Sequence, residues 1–260
     1  MNTRDKMVSA IIPAHNESRT ICGVIEPLLG NCLIDEIIVV DDGSTDETAK
    51  RARSMGIKVI SLQGSRGKAA AMSRGVRAAH NEIVFFCDAD IIGLTPEMVT
   101  RIVTPVVSGD CGMYVAVRGR KTYWANRLLR YTPILGGERA LTRTLWNRVP
   151  GTYKKNFQIE IALNFFAKYL GHRMGFTVVR GLSQVIKEKK RGFWPGLWQR
   201  LLMVCDIMLI GWRIYVMLHL KLLIRQLSPQ RGLIESLVKA RIPGDRRNAP
   251  RSEDRGAPGA

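Results

Sequence analysis

The sequence predicts an α/β protein: a mostly parallel sheet flanked by helices, followed by a basic, apolar helical appendage at the C-terminal end. Three observations carry that expectation. Apolar β-rich runs alternate with helical patterns through the first half of the chain, which is the mark of βαβ units. The acidic and glycine-rich motifs stand after the strands and before the helices, on the rim where open α/β sheets take their ligands. A length of 260 residues suits one domain with a full core, or one domain plus an appendage.

The elements follow in order. The first strand, Val8–Ile12, begins directly after the charged start Asn2-Thr3-Arg4-Asp5-Lys6, so no secretory signal is expected. It runs into Pro13-Ala14-His15-Asn16-Glu17, and a helical pattern follows near 17–29. The second strand, Glu36–Val40, ends in Asp41-Asp42-Gly43-Ser44-Thr45-Asp46. There Ser44 or Thr45 is available to cap an acid-rich helix start over 46–55. After the strand Lys58–Ser61, Gly64-Ser65-Arg66-Gly67-Lys68 opens a helix over 67–79. The strand Glu82–Cys87 holds the unbroken run Ile83-Val84-Phe85-Phe86, as expected of a strand buried on both faces. Pro96 behind Thr95 starts a helix over 96–108, and Gly112–Val117 is the fifth strand. Beyond residue 119 the pattern loosens into a basic helical piece (Arg120–Tyr131), a loop over Thr132–Gly137, a helix over 157–170 and a short strand at 175–180.

The last third is distinct. Residues 180–260 carry 16 Lys/Arg against 6 Asp/Glu, a net +10 out of +18 for the whole chain. A helical stretch over about 196–227 is apolar on nearly every side, broken by Arg200, Asp206, Arg213, Lys221 and Arg225. No window of about 18 residues is free of charge, so a clean transmembrane helix is not expected. Basic residues together with Trp194, Trp198 and Trp212 suit the membrane interface. That reading is preferred to packing on the chain's own core or in a homodimer. The organisation expected is a catalytic domain over 1–186, basic membrane-associating helices over 187–242 and a disordered tail over 243–260. The five cysteines are scattered and without C-x-x-C spacing, which reads as reduced thiols in the cytosol.

Chemistry concentrates at Cys87-Asp88-Ala89-Asp90. Two carboxylates at i and i+2 of an extended segment point the same way, and a divalent cation relieves their repulsion. Oxygen ligands of this kind suit Mg²⁺ or Mn²⁺ shared with substrate phosphates. The pattern alone also fits a solvated turn; the neighbouring motifs add weight. Gly67 and Lys68 head a helix whose free N–H groups favour phosphate. Glu160 is the lone acid of an apolar helical segment, where burial makes a carboxylate a better base. Two glycines at 136 and 137 permit a tight, movable turn, and Glu138, Arg139 and Arg143 follow it. Arg139 and Arg143, four apart, would share a helix face and grip a phosphate. Arg118 and Arg120 are further candidates.

The set of four motifs, ending strand one (Pro13 to Glu17), ending strand two (Asp41 to Asp46), opening the third helix (Gly64 to Met72) and ending strand four (Asp88-Ala89-Asp90), resembles the family-2 nucleotide-sugar glycosyltransferases over roughly residues 7–180. The resemblance implies a single Rossmann-like nucleotide-binding domain of the GT-A type. It implies Pro13 and His15 against the nucleotide base, Glu17 and Asp42 on base or ribose, Lys68 near the phosphates, and Asp88 on ribose or metal-bound water. Asp90 would hold the cation, Glu160 would serve as base or acceptor anchor, and Gly136 to Arg143, which looks like the family's acceptor-side loop, would offer Glu138, Arg139 and Arg143 for acceptor binding. Some metal-dependent relatives add a His ligand late in the domain; this chain has Gln184 in that region, and His172 reads as a surface turn residue.

The function expected is a metal-dependent, inverting glycosyltransferase on the cytoplasmic side of the cell membrane, with a nucleotide-diphospho-sugar donor and an anionic membrane surface as partner. The acceptor expected is a polyprenyl phosphate or other lipid. The alternatives are a soluble phosphorylated acceptor, with the C-terminal helix as a dimer contact, or a non-catalytic membrane-bound sugar-nucleotide-binding protein. Without a nucleic-acid module beside the basic residues, no nucleic-acid partner is expected.

Overall fold

A computed structural model describes residues 7–118, 136–154 and 158–184, together with Trp212, Val216 and Leu220. The expected loop over 132–135, the basic piece at 120–131 and the tail at 243–260 lie outside the described residues, as does the expected boundary at 186/187. The chain divides into a unit ending at Gly211 and a second unit from Trp212 to Ala260.

In the first unit seven strands form one sheet in the order β3-β2-β1-β4-β7-β6-β8. They are β1 (Val8–Ala14), β2 (Ile34–Asp41), β3 (Lys58–Ser61), β4 (Ile83–Phe86), β6 (Met113–Arg118), β7 (Arg139–Thr142) and β8 (Met174–Val179). All pairings are parallel except those of β7, which runs antiparallel between β4 and β6. A second, two-stranded sheet joins β5 (Ile91–Ile92) to β9 (Ser183–Gln184). The helices are α1 (Ile21–Leu29), α2 (Thr48–Ser54), α3 (Lys68–Ala78), α4 (Pro96–Val107), α5 (Arg143–Arg148) and α6 (Gln158–Tyr169). A 3₁₀ turn at Gly151–Tyr153 precedes α6.

The period-2 alternation of the strands sorts the core into two layers. Val8, Ala10 and Ile12 of β1, with Ile83 and Phe85 of β4, face α1 and α4, where Val24, Ile25, Leu28, Val99, Ile102 and Val103 are buried. Ile11 of β1, with Val84 and Phe86 of β4, faces the opposite layer, where Met72 and Val76 of α3, Trp146 of α5 and Ile159 and Leu163 of α6 are buried. The continuous apolar run of β4 is thus explained by cover on both faces. α3 lies flush on β1 because it is built of small residues; a Cβ at Gly75 would collide with Ile11. Thr95 caps α4, its Oγ1 accepting from the Met98 N–H at 3.3 Å.

Two expectations change here. Residues 139–142 form a strand rather than part of a helix, and α1 starts at Ile21 rather than near 17. In the first case Arg139, Ala140 and Leu141 are all buried, because β7 is an interior strand. In the second, residues 15–18 are stitched to the loop after β2, which holds them out of the helix: Asn16 N–H donates to Ser44 Oγ, Glu17 N–H to Thr48 Oγ1 and Ser18 N–H to Asp46.

In the second unit Trp212, Val216 and Leu220 are helical and exposed at 66, 40 and 53 %. Residues four apart share one helix face. No helix of the described residues is long and apolar enough to cross a membrane.

Candidate active site

Because six of the seven strands are mutually parallel, their C-terminal ends share one rim; the antiparallel β7 brings its first residue, Arg139, to the same rim. The register fixes the neighbours. Ala14 pairs with Asp41, Ile11 with Phe86, and Phe86 with Arg139. The residues following β1, β2 and β4, the turn before α3, the end of β6 and the start of α6 therefore converge.

At the centre is an ionic cluster. Lys68 Nζ lies 2.7 Å from Asp88 Oδ1 and 3.2 Å from Glu160 Oε1. Arg118 Nη2 lies 2.5 Å from Glu138 Oε1 and 3.6 Å from Asp88 Oδ2. Arg139 Nη2 is 3.9 Å from Glu160 Oε2. Burial alone would lower the pKa of Lys68, but Asp88 and then Glu160 outweigh it and hold the ammonium charged. Arg118 is likewise pushed up, burial being overcome by Glu138, Asp88 and Asp90. Glu138 is raised, first by burial and then by the Asp88 carboxylate, with Arg118 opposing. Its Oε2 is buried and without a hydrogen-bond partner among the described residues.

The donor-side residues stand as follows. Pro13 is buried inside β1. His15 is exposed, its Nδ1–H donating to the Asp42 carbonyl at 2.8 Å; a carbonyl only accepts, so Nδ1 carries the proton. Glu17 is half-buried and accepts from the Thr20 hydroxyl. Asp42 is 4 % exposed, and its carboxylate accepts from Ser65 Oγ and from the N–H groups of Arg66 and Gly67, at 2.7 to 2.8 Å. Expected as a base or ribose contact, this carboxylate is instead engaged in shaping the turn that presents Lys68. Gly67 in that turn has φ +87°, a backbone conformation glycine adopts without strain. The neighbouring Asp41 accepts from the Ser44 N–H.

On the acceptor side the structure departs further from expectation. Glu138 and Arg139 are fully buried, so neither offers an open face to a ligand. Arg143 is corrected outright. It stands at the far end of β7, on the opposite rim, where its Nη1 donates to the Ala79 carbonyl at 2.9 Å. Four residues along a strand span roughly 13 Å, so Arg139 and Arg143 cannot close on one group. Gln184 belongs to β9, paired with Ile91 beside Asp90. His172 packs against Gly112 at the opposite rim, half-buried rather than at the surface.

Residues the sequence reading passed over are Asn16 and Asn164. Asn16 is the one non-glycine described residue at positive φ (56°), and its Oδ1 accepts from the Thr45 N–H at 2.8 Å. Asn164 is buried one helical turn beyond Glu160 and accepts from Arg139; the i, i+4 spacing from Glu160 was the available signal.

Asp88 and Asp90 are both half-buried at the solvent edge of the sheet. Among the described residues no third His, Cys, Asp or Glu completes a ligand set with them. That donor chemistry suits Mg²⁺ or Mn²⁺, which bind through one or two carboxylates and take their remaining oxygens from water and substrate phosphates. Asp88, Glu138 and Glu160 with Asp90 set four carboxylates against three cations, Lys68, Arg118 and Arg139.

Comparison with known proteins follows the same lines. The family model described as "Glycosyl transferase family 2" matches residues 9–169. A glucosyl-3-phosphoglycerate synthase of Mycolicibacterium smegmatis is 38 % identical over 115 residues, 40 % of this chain and 38 % of the relative. A 4,4'-diaponeurosporenoate glycosyltransferase of Staphylococcus aureus is 33 % identical over 119 residues, 44 % of this chain and 32 % of the relative. The match thus spans less than two fifths of the length of either relative. A crystal structure of glucosyl-3-phosphoglycerate synthase from Mycobacterium tuberculosis, in complex with Mn²⁺, uridine-diphosphate-glucose and phosphoglyceric acid, superposes with a TM-score of 0.61. It is 27 % identical, covering 70 % of this chain and 72 % of that one.

Proposed function

This chain belongs to glycosyl transferase family 2, and on that premise we propose that it transfers a sugar from a uridine-diphospho-sugar to a phosphorylated acceptor. The observation that carries the reading is the convergence of Asp88, Asp90, Lys68, Arg118 and Glu160 on one rim. The relatives named for glucosyl-3-phosphoglycerate synthesis support a soluble phosphorylated acceptor ahead of the lipid acceptor first expected.

The geometry supports the following division of roles. The shelf of residues 15–18, stitched to 44–48, is the surface for the nucleoside. Lys68, at the head of α3, adds its charge to the helix N-terminus at the diphosphate. Asp88 and Asp90 would hold a divalent cation, whose charge would offset that of the departing nucleotide and supply several kcal/mol of barrier lowering. Glu160 faces the acceptor. For a hydroxyl acceptor it takes the proton as the new bond to the anomeric carbon forms and the bond to the diphosphate breaks. For a phosphate monoester it positions the nucleophile. Arg118 pairs with Glu138 and Asp88.

The test is calorimetric titration of UDP with and without Mn²⁺, followed by turnover of UDP-glucose with 3-phosphoglycerate. Metal-dependent UDP binding that Asp90→Ala abolishes, with a fall of about 10²–10⁴-fold in transfer for Glu160→Gln, is the expected result. UDP binding indifferent to both metal and Asp90 would overturn the reading.

One observation favours a second reading, a lipid-borne acceptor reached from the cytoplasmic face of the membrane: the exposed stripe of Trp212, Val216 and Leu220 within a segment rich in Lys and Arg. An aromatic and apolar face with basic flanks suits an anionic interface. Flotation of the full chain with phosphatidylserine vesicles, lost on truncation after residue 186, is the outcome this reading expects. Equal recovery of both proteins at the bottom of the gradient rules it out.

A further inference from the structure

Arg139 is the largest fully buried side chain of the described residues, and the roles assigned above leave it without one. A guanidinium keeps its charge under any ordinary condition, and burying it is expensive unless every direction is satisfied. Here the fork is spent on three groups. Nε and Nη2 both donate to the Gly136 carbonyl, at 3.0 and 2.6 Å. Nη1 donates to the Glu160 carbonyl and to Asn164 Oδ1, each at 3.4 Å. Nη2 also lies 3.9 Å from the Glu160 carboxylate.

The two ends of this contact belong to different halves of the site. Gly136 leads into Gly137, which lies so close against the Asp88 carboxylate that a Cβ there would collide with it, as a Cβ at Gly136 would with the Ala116 carbonyl. The turn is therefore held against the Asp88 side, where the cation and diphosphate belong. Glu160 and Asn164 lie on α6, on the acceptor side. Lys68 spans the same gap half-buried, touching Asp88 and Glu160; it keeps some access to solvent, so its partners can change when a ligand arrives. Arg139 is sealed, and its partners cannot.

We propose that Arg139 is a positioning residue that sets the distance and orientation of Glu160 relative to Asp88, with Asn164 and the Gly136 carbonyl as its fixed abutments. Its contribution falls on transfer to the acceptor, because it orients the acceptor-side carboxylate while nucleotide contacts are made by other elements. A misplacement of roughly 1 Å in a reacting group lowers a rate by about 100-fold. Arg139→Lys keeps the charge and loses the planar fork, so it separates neutralisation from orientation. The inference rests on the reading of Glu160 given under the proposed function.

The experiment compares wild type, Arg139→Lys, Asn164→Ala, Glu160→Gln and the Arg139→Lys/Glu160→Gln double variant. Four quantities are measured: thermal midpoint, UDP affinity in Mn²⁺, transfer from UDP-glucose to 3-phosphoglycerate, and hydrolysis of UDP-glucose by water. Arg139→Lys is expected to bind UDP as wild type does and to lose about 100-fold in transfer, with hydrolysis much less affected. The double variant should transfer no more slowly than Glu160→Gln alone, since groups acting as a unit are not additive. Parallel losses of transfer, hydrolysis and UDP affinity would make Arg139 merely structural and overturn the proposal; so would unimpaired transfer. Should Arg139→Lys fail to fold, Asn164→Ala decides, by a smaller loss with the same split or by its absence. If Glu160→Gln transfers normally, the reading of Glu160 fails. If Glu160→Gln is inactive while Arg139→Lys is not, the positioning role alone fails.

Discussion

A single carboxylate in the stitched loops of residues 15–18 and 44–48 illustrates how much one side chain holds. Asp46 accepts from the Ser18 N–H at 3.1 Å and from the N–H and hydroxyl of Thr48. Burial pushes its pKa up, but these hydrogen bonds outweigh it and bring it from 3.8 to about 2. A folded-state value below the unfolded one contributes stability above pH about 3.8, lost as the pH falls toward 2. Asp46→Asn should therefore lower stability at neutral pH by about 1 kcal/mol, a figure reduced for solvent screening at an exposed group. The gap to wild type should close between about pH 4 and pH 2 in denaturant unfolding. A pH-independent gap would mean that the charge is irrelevant. At this scale the sequence was legible where charged residues are dense: Asp88, Lys68 and Glu160, each singled out from the sequence, lie in one ionic cluster. It was misleading at Asp42 and Arg139, because both are charged residues whose polar atoms are consumed inside the protein, and no local pattern distinguishes such a group from a ligand contact. That distinction lies in what packs around it.

At the scale of elements, the strands and helices up to residue 118 follow from periodicity and turn chemistry, since each has its own apolar pattern and its own start and stop residues. β7 did not, being only four residues long, with arginine at its first position and directly after it. Its identity comes from its slot between β4 and β6, a contact remote in sequence. The consequence for Arg143 is specific. Its guanidinium reaches the Ala79, His80 and Asn81 carbonyls and ties the start of α5 to the turn before β4. Arg143→Ala should lower stability by about 1–2 kcal/mol and leave the KM for a phosphorylated acceptor unchanged. A raised acceptor KM at unchanged stability would restore the acceptor role.

Across the whole first unit, residues 8–92 build the loops after β1 and β2, the head of α3 and the paired acids, while residues 136–184 supply Arg139, Glu160 and the strands β7, β8 and β9. Their meeting line is the pairing of β4 with β7, four residue pairs from Ile83–Thr142 to Phe86–Arg139. During synthesis on the ribosome, β4 emerges and pairs with β1 while residues 87–138 still separate it from its other neighbour. For that interval the Ile-Val-Phe-Phe segment offers an open edge of unpaired backbone groups, the kind of template on which foreign strands assemble. The antiparallel insertion that completes the active site is thus also the closure that protects the nascent chain, and a protein released before β7 is made would carry its stickiest edge uncovered.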